Sequence, residues 1–386
     1  MKKTITTENI PIKLWLDEVE DSALIQAKNL ANLPFAFSHV ALMPDSHMGY
    51  GMPIGGILAT KNVVVPNAVG VDIGCGMCAV KTSLTHIEKD TIKTIMGEIR
   101  KVVPVGFNHQ KYAQDPYLMP LSNETNHVVN REYNKALTQL GTLGGGNHFI
   151  EIQKGSDDHI WVMIHSGSRN LGKQVADYYN KLAVVMNETW FSSVPKNWQL
   201  AFFPTDFKEG DSYLKEMQYC VEFALSNRKL MMERVLESMS NINSEMDCEP
   251  MINIAHNYAS LEHHFGQNVY VHRKGATLAS DKTIGIIPGS QGTSSYIVRG
   301  LGNRDSFMSC SHGAGRKMGR KEAKRRLDLN EEIARLDAIG VVHDVRNVSD
   351  LDEAPGAYKD ITTVMDNQRD LVEILVELRP LGVIKG

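Results

Sequence analysis

A histidine followed by small residues near the end of the chain is the first candidate for chemistry. His312 opens a glycine-rich run over 313–315, and seven Lys and Arg residues follow over 316–326. Glycine leaves the neighbouring backbone amides unobstructed, so that a phosphate can approach them closely. Clustered Lys and Arg bind polyanions, although a charged helix face is more often simply solvated. The pattern predicts a phosphate-binding turn with an RNA or DNA strand nearby.

The same histidine is the candidate nucleophile if the protein forms a covalent nucleotide. The motif Lys-x-Asp-Gly, which supplies the lysine nucleophile of many ligases and capping enzymes, does not occur in the chain. An imidazole with a reference pKa of about 6.5 is largely neutral and nucleophilic at pH 7. Donors and cations around it would withdraw charge from the phosphate. Two further turns of small residues, over 141–147 and 288–292, offer amides for other phosphate oxygens.

A second group of side chains has the chemistry of metal ligands. Two of them lie in a glycine-rich segment, and the others are histidines that follow a glycine run or a short apolar stretch. Oxygen, nitrogen and sulfur donors together suit manganese, zinc or iron better than magnesium. Five ligands predict two ions that share one ligand, and paired ions can orient phosphate oxygens while a bond breaks. The five are Asp72, Cys75, His148, His165 and His256.

Two other interpretations of these side chains stay open at this point. A structural zinc site normally has four Cys or His ligands, and Cys75-x-x-Cys78 has no second Cys-x-x-Cys pair to complete it. Alternatively, each histidine is a hydrogen-bonded polar residue at the end of a strand. That interpretation suits any one histidine, but it accounts less well for all of the groups together. The combination favours a nucleotide-using metalloenzyme.

Length and composition bound the fold and the environment. The chain has 386 residues, of which 42% are hydrophobic, so it can bury a large core. We expect one continuous domain over residues 1–386, because no linker or repeat interrupts the pattern. The five cysteines and the absence of an apolar leader over 1–30 predict a reduced, cytoplasmic protein. The net charge of −4 gives no protein-wide nucleic-acid signature, and no apolar run is long enough for a membrane span.

Apolar periodicity predicts a mixed α/β or α+β fold, and two of the strands end at a candidate ligand histidine. Helical patterns cover 10–33, 172–190, 211–239, 320–338 and 366–378. Strand-like runs cover 38–43, 56–65, 160–164, 251–255, 268–272, 284–287 and 296–299. A Gly- and Pro-rich loop is expected over 44–56, and 191–212 has the composition of an insertion between elements.

These motifs, taken in order along the whole chain, resemble the RtcB family of RNA ligases. The resemblance is specific because several separate motifs match in the same order. They are Pro44-Asp45-x-His47-x-Gly49-x-Gly51, Gly70-x-Asp72-x-x-Cys75-Gly76, Gly141-Thr142-Leu143-Gly144-x-Gly146-Asn147-His148-Phe149, His165-x-Gly167-Ser168-Arg169, His256-Asn257, Pro288-Gly289-Ser290, His312-Gly313-Ala314-Gly315-Arg316 and Lys385-Gly386.

The resemblance implies a role for each matched position. Cys75 would bridge two manganese ions, with Asp72 and His148 on one ion and His165 and His256 on the other. His312 would form a covalent GMP intermediate with GTP, and Arg169 and Arg316 would contact RNA or nucleotide phosphates. The nucleotide site would comprise Asn147, His148, Phe149, Ile150, Glu151, His256, Asn257, Pro288, Gly289, Ser290, Gln291, Ser295, His312, Gly313, Ala314, Gly315, Tyr358 and Lys385, with Tyr358 against the guanine.

The resemblance also implies a fold and a reaction. The family fold is a single large α/β-type domain, and its reaction joins an RNA 3′-phosphate or 2′,3′-cyclic phosphate end to a 5′-hydroxyl end. Two positions depart from the family pattern. Gln291 stands where methionine is usual, and Ala255 replaces a frequent histidine. We therefore expect a divergent bacterial paralogue whose RNA differs from tRNA halves, with any activating protein partner unidentified.

The sequence also allows two alternative functions, and it predicts a structural role for several other residues. A metal-dependent phosphodiesterase or a non-catalytic RNA-binding repair factor would share parts of the site. His47 contacts RNA or forms a hydrogen bond within its loop. The remaining polar and sulfur-containing candidates are expected to be structural: His263 and His264 on a helix, Met231 and Met232 in the core, His86, His127 and His343 as isolated histidines, and Cys78, Cys220, Cys248 and Cys310 as packed thiols.

Overall fold

The computed structural model describes residues 1–121, 127–242 and 245–386, and it has the mixed α/β fold that the sequence predicts. The strands are β1 (Lys3–Ile5), β2 (Ile12–Leu14), β3 (Ala36–His47), β4 (Ile54–Thr60), β5 (Val63–Val64), β6 (Gly76–Lys81), β7 (Phe149–Gly155), β8 (Ile160–Ser166), β9 (Phe203–Pro204), β10 (Ile252–Ala255), β11 (Asn257–His264), β12 (Gln267–Lys274), β13 (Ala276–Leu278), β14 (Ile284–Ile287), β15 (Ser295–Gly300), β16 (Ser309–Ser311) and β17 (Val372–Lys385). The α-helices are α1 (Asp21–Ala31), α2 (Pro66–Val69), α3 (Lys89–Val102), α4 (His127–Gln139), α5 (Arg169–Thr189), α6 (Lys208–Ser240), α7 (Arg320–Arg326), α8 (Leu329–Ala338) and α9 (Ile361–Asp366).

Two sheets contain most of the strands. The first has the order β1-β2-β3-β4-β12-β11, and the second has the order β10-β6-β8-β7-β17-β15-β14. The neighbours pair antiparallel, except that β2 and β3 are parallel. The short pair β13-β16 places His312 directly after the last residue of β16. The nucleophile candidate therefore starts from a strand end rather than from a free loop.

The second sheet brings four of the predicted metal ligands together at one end of its neighbouring strands. Strand β8 lies between β6 and β7, and β10 lies on the other side of β6. Cys75 directly precedes β6 and His148 directly precedes β7, whereas His165 is close to the end of β8 and His256 directly follows β10. Because antiparallel neighbours run in opposite directions, the starts of β6 and β7 lie beside the ends of β8 and β10.

Helix α6 binds the backbone of the turns at this end of the strands. The buried Arg228 guanidinium donates to the carbonyl oxygens of Gly74 at 3.0 Å and Ser166 at 2.8 Å. The neighbouring Asn227 accepts from the backbone N–H of Gly141 at 2.7 Å. These contacts satisfy backbone groups that would otherwise be buried without partners. The helix thereby fixes the backbone beside the candidate ligands.

Many of the predicted elements are confirmed. The run at 160–164 lies in β8, 251–255 overlaps β10, and 284–287 matches β14. The helices predicted at 172–190 and 211–239 correspond to α5 and α6, in which Met231 and Met232 are buried as expected. These elements have long or strongly apolar patterns that tertiary contacts reinforce.

The helix predicted over 366–378 is wrong. Helix α9 ends at Asp366, and β17 begins at Val372 and pairs with both β15 and β7. The apolar residues of this segment suit either period, and two neighbouring strands satisfy its backbone in the extended form. Pairing across the sheet therefore overrides the local helical pattern.

Three other boundaries also differ from the prediction. Only Asp21–Ala31 of the predicted helix 10–33 is helical, and 12–14 joins the first sheet as β2. The predicted helix 320–338 is interrupted at Asp328, whose side chain accepts from the N–H groups of Asn330 and Glu331 and starts α8. The expected loop 44–56 is shorter, because β3 continues to His47.

The structural assignments of three single residues are wrong. His263 and His264 lie on β11, not on a helix, because this segment pairs with β12 across a tight turn. Cys248 is exposed, whereas Cys78, Cys220 and Cys310 are buried thiols as predicted. Among the described residues, no helix combines the length and apolar character that a membrane span requires.

Candidate active site

Three of the predicted ligands form a buried cluster. Cys75 Sγ lies 3.4 Å from His148 Nε2 and 3.3 Å from His165 Nε2. The donor atoms of these three residues all lie within 4.8 Å of one another. A thiol and two imidazoles at this spacing have the chemistry of a transition-metal site. The cluster therefore suggests a bound metal.

The other two predicted ligands extend this cluster on either side. Asp72 Oδ2 lies 3.2 Å from His148 Nε2, and His256 Nε2 lies 3.4 Å from His165 Nε2. The imidazoles of His165 and His256 turn the same type of nitrogen toward each other, so at most one of them can donate in that contact. The side chains of all five predicted ligands therefore lie next to one another, each in contact with at least one other.

The protonation states of these groups fit a metal ion. Burial lowers the pKa of His165 and of His256 well below the ordinary value, which keeps both rings neutral. His165 Nδ1 lies 3.1 Å from the carbonyl oxygen of Asn147 and must donate to it, so Nε2 presents its lone pair to the cluster. Burial and the charge of Asp72 raise the pKa of Cys75 well above normal. A cation would reverse that shift by binding the thiolate.

Asp45 fixes the ring of the candidate nucleophile. Its Oδ2 atom lies 2.7 Å from His312 Nδ1 and also accepts the backbone N–H of His312 at 3.1 Å. Burial alone would raise the pKa of Asp45, but the hydrogen bond and charge of His312 outweigh burial and lower it. An ionised carboxylate only accepts, so in the neutral ring Nδ1 carries the proton and Nε2 keeps its lone pair. Within the described residues, Nε2 has no hydrogen-bond partner.

The backbone around Asp45 is held on both sides. Lys359 Nζ donates to the carbonyl oxygen of Ser46 at 2.6 Å and to that of Pro44 at 3.3 Å. Gly315 has a φ of +74°, and a Cβ atom there would overlap the carbonyl oxygen of Asp45. Gly315, three residues after the candidate nucleophile, therefore permits the close approach of two segments. Asp45 belongs to one of the sequence motifs, but neither Asp45 nor Lys359 was among the predicted site residues.

A cavity of about 710 Å³ opens beside His312. It is lined by residues from Glu20 to Lys385, so distant parts of the chain contribute to it. Most of the predicted nucleotide-site residues line this cavity. They are Asn147, Phe149, Glu151, Pro288, Gly289, Ser290, Gln291, His312, Gly313, Ala314, Gly315, Tyr358 and Lys385.

Other predicted nucleotide-site residues do not line it. Ile150 is buried in the core on the opposite face of β7 from its neighbours, because side chains alternate along a strand. Asn257 uses its side chain to donate to Asp72 O at 3.0 Å and to accept from Gly275 N at 2.7 Å. Ser295 accepts from the N–H of Gly289 at 3.1 Å and supports the 288–292 turn. His148 and His256 lie among the candidate metal ligands instead, beside Cys75 and His165 respectively.

Two ionisable groups lie in the cavity wall, the buried Glu151 and the half-buried Lys385. Burial raises the pKa of Glu151 to about 8, and Gln153 donates to its carboxyl group. Burial lowers the pKa of Lys385, whose ammonium lies 5.6 Å from the centre of the Phe149 ring. Strand pairing explains the contact between Lys385 and Phe149, because β17 places Lys385 opposite Phe149 in β7.

Glu353 organises the opposite wall and was missed by sequence analysis. Its carboxylate accepts from Arg316 at 3.1 Å and from Arg320 at 2.9 Å, and the hydroxyl of Tyr358 also donates to it. The Arg316 guanidinium lies over the Tyr358 ring, 5.1 Å from its centre. Part of the predicted basic run is therefore neutralised within the protein. The acidic segment around Glu353 has no sequence motif that would have indicated this.

Arg169 is tied to the protein in this structure. Its Nε donates to Thr142 Oγ1 at 3.0 Å, and its Nη2 donates to the carbonyl oxygen of Gly106 at 2.6 Å. It opens α5 with a φ of +58°. His47, the other candidate RNA contact, forms a local bond from Nδ1 to the carbonyl oxygen of Asp45 at 2.9 Å and also lines the cavity.

The fold and the cluster define a mixed α/β protein with a candidate metal site, and comparison with known proteins gives its family. A family model described as tRNA-splicing ligase RtcB matches residues 26–134 and 119–386. The RNA-splicing ligase RtcB of Escherichia coli (strain K12) is 40% identical over 407 residues, covering 99% of each chain. The chain belongs to the RtcB family.

Archaeal relatives show similar coverage. The tRNA-splicing ligase RtcB of Nanoarchaeum equitans (strain Kin4-M) is 33% identical, over 98% of this chain and 96% of that protein. The protein of the same name from Thermococcus kodakarensis is 31% identical, over 95% of this chain and 92% of that protein. The similarity to these relatives therefore extends over nearly the whole chain.

Proposed function

We propose that this protein is a GTP- and manganese-dependent RNA ligase. It joins RNA 3′-phosphate or 2′,3′-cyclic phosphate ends to 5′-hydroxyl ends in RNA splicing or repair. One observation carries the proposal. The ring of His312 lies 4.8 Å, centre to centre, from the ring of His256, which itself contacts the metal cluster through His165. The candidate nucleophile and the candidate metal ligands thus belong to one site.

The first chemical step uses the lone pair of His312. Asp45 holds the proton on Nδ1, so Nε2 attacks the α-phosphorus of GTP, and a phosphorus–nitrogen bond forms as pyrophosphate leaves. Manganese bound by the Cys75 cluster would supply positive charge to the phosphate oxygens. Backbone amides over 313–315 would hold the same phosphate. The product of this step is GMP attached to His312.

The second and third steps transfer the activation to RNA. An oxygen of the RNA 3′-phosphate takes GMP from His312, which regains its free imidazole. The 5′-hydroxyl of the other strand then attacks that 3′-phosphate, GMP leaves, and the hydroxyl proton is released to solvent. A 2′,3′-cyclic end is hydrolysed to the 3′-phosphate before these steps. Arg169 and Arg316 are the proposed phosphate contacts for RNA or nucleotide.

The nucleotide occupies the cavity in this proposal. Glu151, Tyr358 and Lys385 contribute the base and ribose contacts, and the 288–292 turn contributes further amides. Residues 1–386 act as one catalytic unit, since the cavity wall includes both Glu20 and Lys385. Gln291 replaces the usual methionine and donates to the carbonyl oxygen of Glu353 at 2.8 Å, which ties two walls together.

Covalent labelling tests the proposal directly. Purified protein is incubated with manganese and α-labelled GTP, denatured and separated by electrophoresis, with ATP and His312→Ala as controls. Label from GTP that is absent in the variant supports transfer through His312. Absence of label with metal present would contradict an autonomous ligase and would favour a metal-dependent phosphodiesterase. Cyclic-phosphate hydrolysis by the same preparation would then distinguish that enzyme from a non-catalytic RNA-binding protein.

A further inference from the structure

The loop over 47–52 is anchored to the protein by its backbone. Gln26 donates through Nε2 to the carbonyl oxygen of Gly49 at 2.6 Å, and its Oε1 accepts the N–H of Gly49 at 3.1 Å. The N–H of Met48 donates to Glu20. Helix α1 and the residue before it therefore hold the first half of the loop. A loop held in this way presents its side chains in a defined direction.

A buried lysine anchors the second half of the loop. Lys274 Nζ donates to the carbonyl oxygen of Tyr50 at 2.6 Å and to that of Asn67 at 3.0 Å. Lys274 is only 7% exposed, and no carboxylate pairs with it among the residues that the structure describes. The N–H of Met52 also donates to the carbonyl oxygen of Tyr50, at 2.8 Å. The buried Lys274 side chain thus joins the backbone of Tyr50 to that of Asn67.

The side chains at this point are exposed. Tyr50 is 70% exposed and Met48 is 57% exposed, although both belong to the wall of the cavity that contains His312. The backbone contacts of Tyr50 do not involve its ring, so the ring is not needed to hold the loop. The cavity wall also includes Lys317, whose ammonium group is suited to a phosphate. An aromatic ring, a cation and the candidate nucleophile therefore line the same cavity.

This combination matches the requirements of a single-stranded nucleic-acid end. Unpaired bases stack on exposed aromatic side chains, and cations track the phosphates beside them. We infer that Tyr50 is a stacking platform for the unpaired nucleobase at an RNA end that is being joined. The inference rests on the proposed ligase function and adds a contact to the base, which the phosphate contacts do not provide. Met48 contributes apolar surface next to the stacked base.

Substitution of Tyr50 tests the inference because its ring can be changed without touching the anchors. Guanylylated protein is mixed with 3′-phosphate and 5′-hydroxyl oligonucleotides, and single-turnover ligation is followed against RNA concentration. For Tyr50→Ala we expect half-saturation at an RNA concentration on the order of 10- to 100-fold higher. Tyr50→Phe keeps the ring and should behave as the wild type, whereas Tyr50→Leu should resemble the alanine variant.

A matched control and a second readout separate base stacking from other effects. Tyr112 is also 70% exposed and does not line the cavity, so Tyr112→Ala should leave half-saturation unchanged. GMP labelling of Tyr50→Ala should equal that of the wild type. A loss of labelling would overturn the inference, because the ring would then serve the nucleotide. Wild-type half-saturation in Tyr50→Ala or in Tyr50→Leu would also overturn it.

Abasic nucleotides identify which strand supplies the base. One oligonucleotide pair lacks the base next to the 3′-phosphate, and another lacks the base at the 5′-hydroxyl end. If the missing base is the one that stacks on Tyr50, its removal should not raise the half-saturating RNA concentration of Tyr50→Ala any further. If both abasic pairs raise half-saturation in Tyr50→Ala as much as in the wild type, the result would contradict stacking.

If wild-type protein takes no GMP label, fluorescence anisotropy with a 3′-phosphate oligonucleotide still compares the RNA affinity of the variants. The failure of the ligase proposal is thereby separated from that of the stacking inference.

Discussion

Asp45 and His312 form a buried carboxylate–imidazole pair, with Asp45 Oδ2 2.7 Å from His312 Nδ1. The Asp45 side chain is 0% exposed, and that of His312 is 15% exposed. A carboxylate in this position sets the tautomer of the ring and stabilises the positive charge that develops when the other nitrogen reacts. The pair therefore connects the first sheet, which carries Asp45 on β3, with the candidate nucleophile.

Removal of the Asp45 charge should slow nucleotide attachment. Asp45→Asn keeps the size of the side chain but can donate to Nδ1, which would favour the wrong tautomer. We expect GMP labelling to slow by at least about 10-fold, as for a histidine that loses its orienting carboxylate. Rapid-quench labelling with α-labelled GTP gives the rate. The manganese content of the variant should stay unchanged, and a wild-type rate would show that the pair does not orient His312.

Loss of the Cys75 thiol should weaken metal binding. Cys75→Ala removes the sulfur that lies between His148 and His165, and we expect manganese affinity to fall by more than about 10-fold. Equilibrium dialysis with manganese measures this affinity. Cys78→Ala is the matched control, because Cys78 is equally buried but lies outside the cluster. Equal manganese affinity in the two variants would contradict the metal assignment.

Glu151 should make stability depend on pH. Its pKa is about 8 in the folded protein against a reference value of 4.5, so the folded state resists ionisation of this group. The stability that the protonated group contributes is complete below about pH 4.5 and is lost as pH rises through 8. Glu151→Gln mimics the protonated form, so the variant should be more stable than the wild type at pH 8.5, by a few kcal/mol at most.

Urea unfolding at pH 5 and pH 8.5 checks the Glu151 prediction. The difference between Glu151→Gln and the wild type should be larger at the higher pH. Glu373→Gln serves as a control, because that side chain is 54% exposed and lies outside the cavity. The same difference at both values of pH would indicate that Glu151 ionises freely in the folded protein.

Removal of the Glu353 charge should destabilise the wall formed with α7. Glu353→Gln leaves the half-buried Arg316 without its carboxylate, and we expect a loss of about 2 kcal/mol or more. Asp352→Asn is the control, because Asp352 pairs with the more exposed Lys324 and its loss should cost less than about 1 kcal/mol. Urea unfolding measures both. Equal effects would mean that Glu353 is no more important than a surface ion pair.

The candidate metal residues could be selected from the sequence because their local patterns are strong. His165 lies near the end of the apolar strand β8, His256 directly follows β10, and Cys75 lies in a glycine-rich turn. Such patterns involve only residues that are close in the chain, so they can be recognised in a single sequence. The confirmed strands β8 and β10 belong to this class, whereas the 366–378 segment does not, because its period allowed both a helix and a strand.

The amino-acid sequence by itself determined the donor chemistry, the order of the motifs and the family. Only the tertiary structure decided that Asp45 holds His312, from which it is separated by 267 positions in the chain. It also decided that Glu353 pairs with Arg316 and that Lys274 holds the backbone of Tyr50. These contacts arise where separate segments pack together, and the periodicity of one segment contains no information about which distant side chain will satisfy its polar groups.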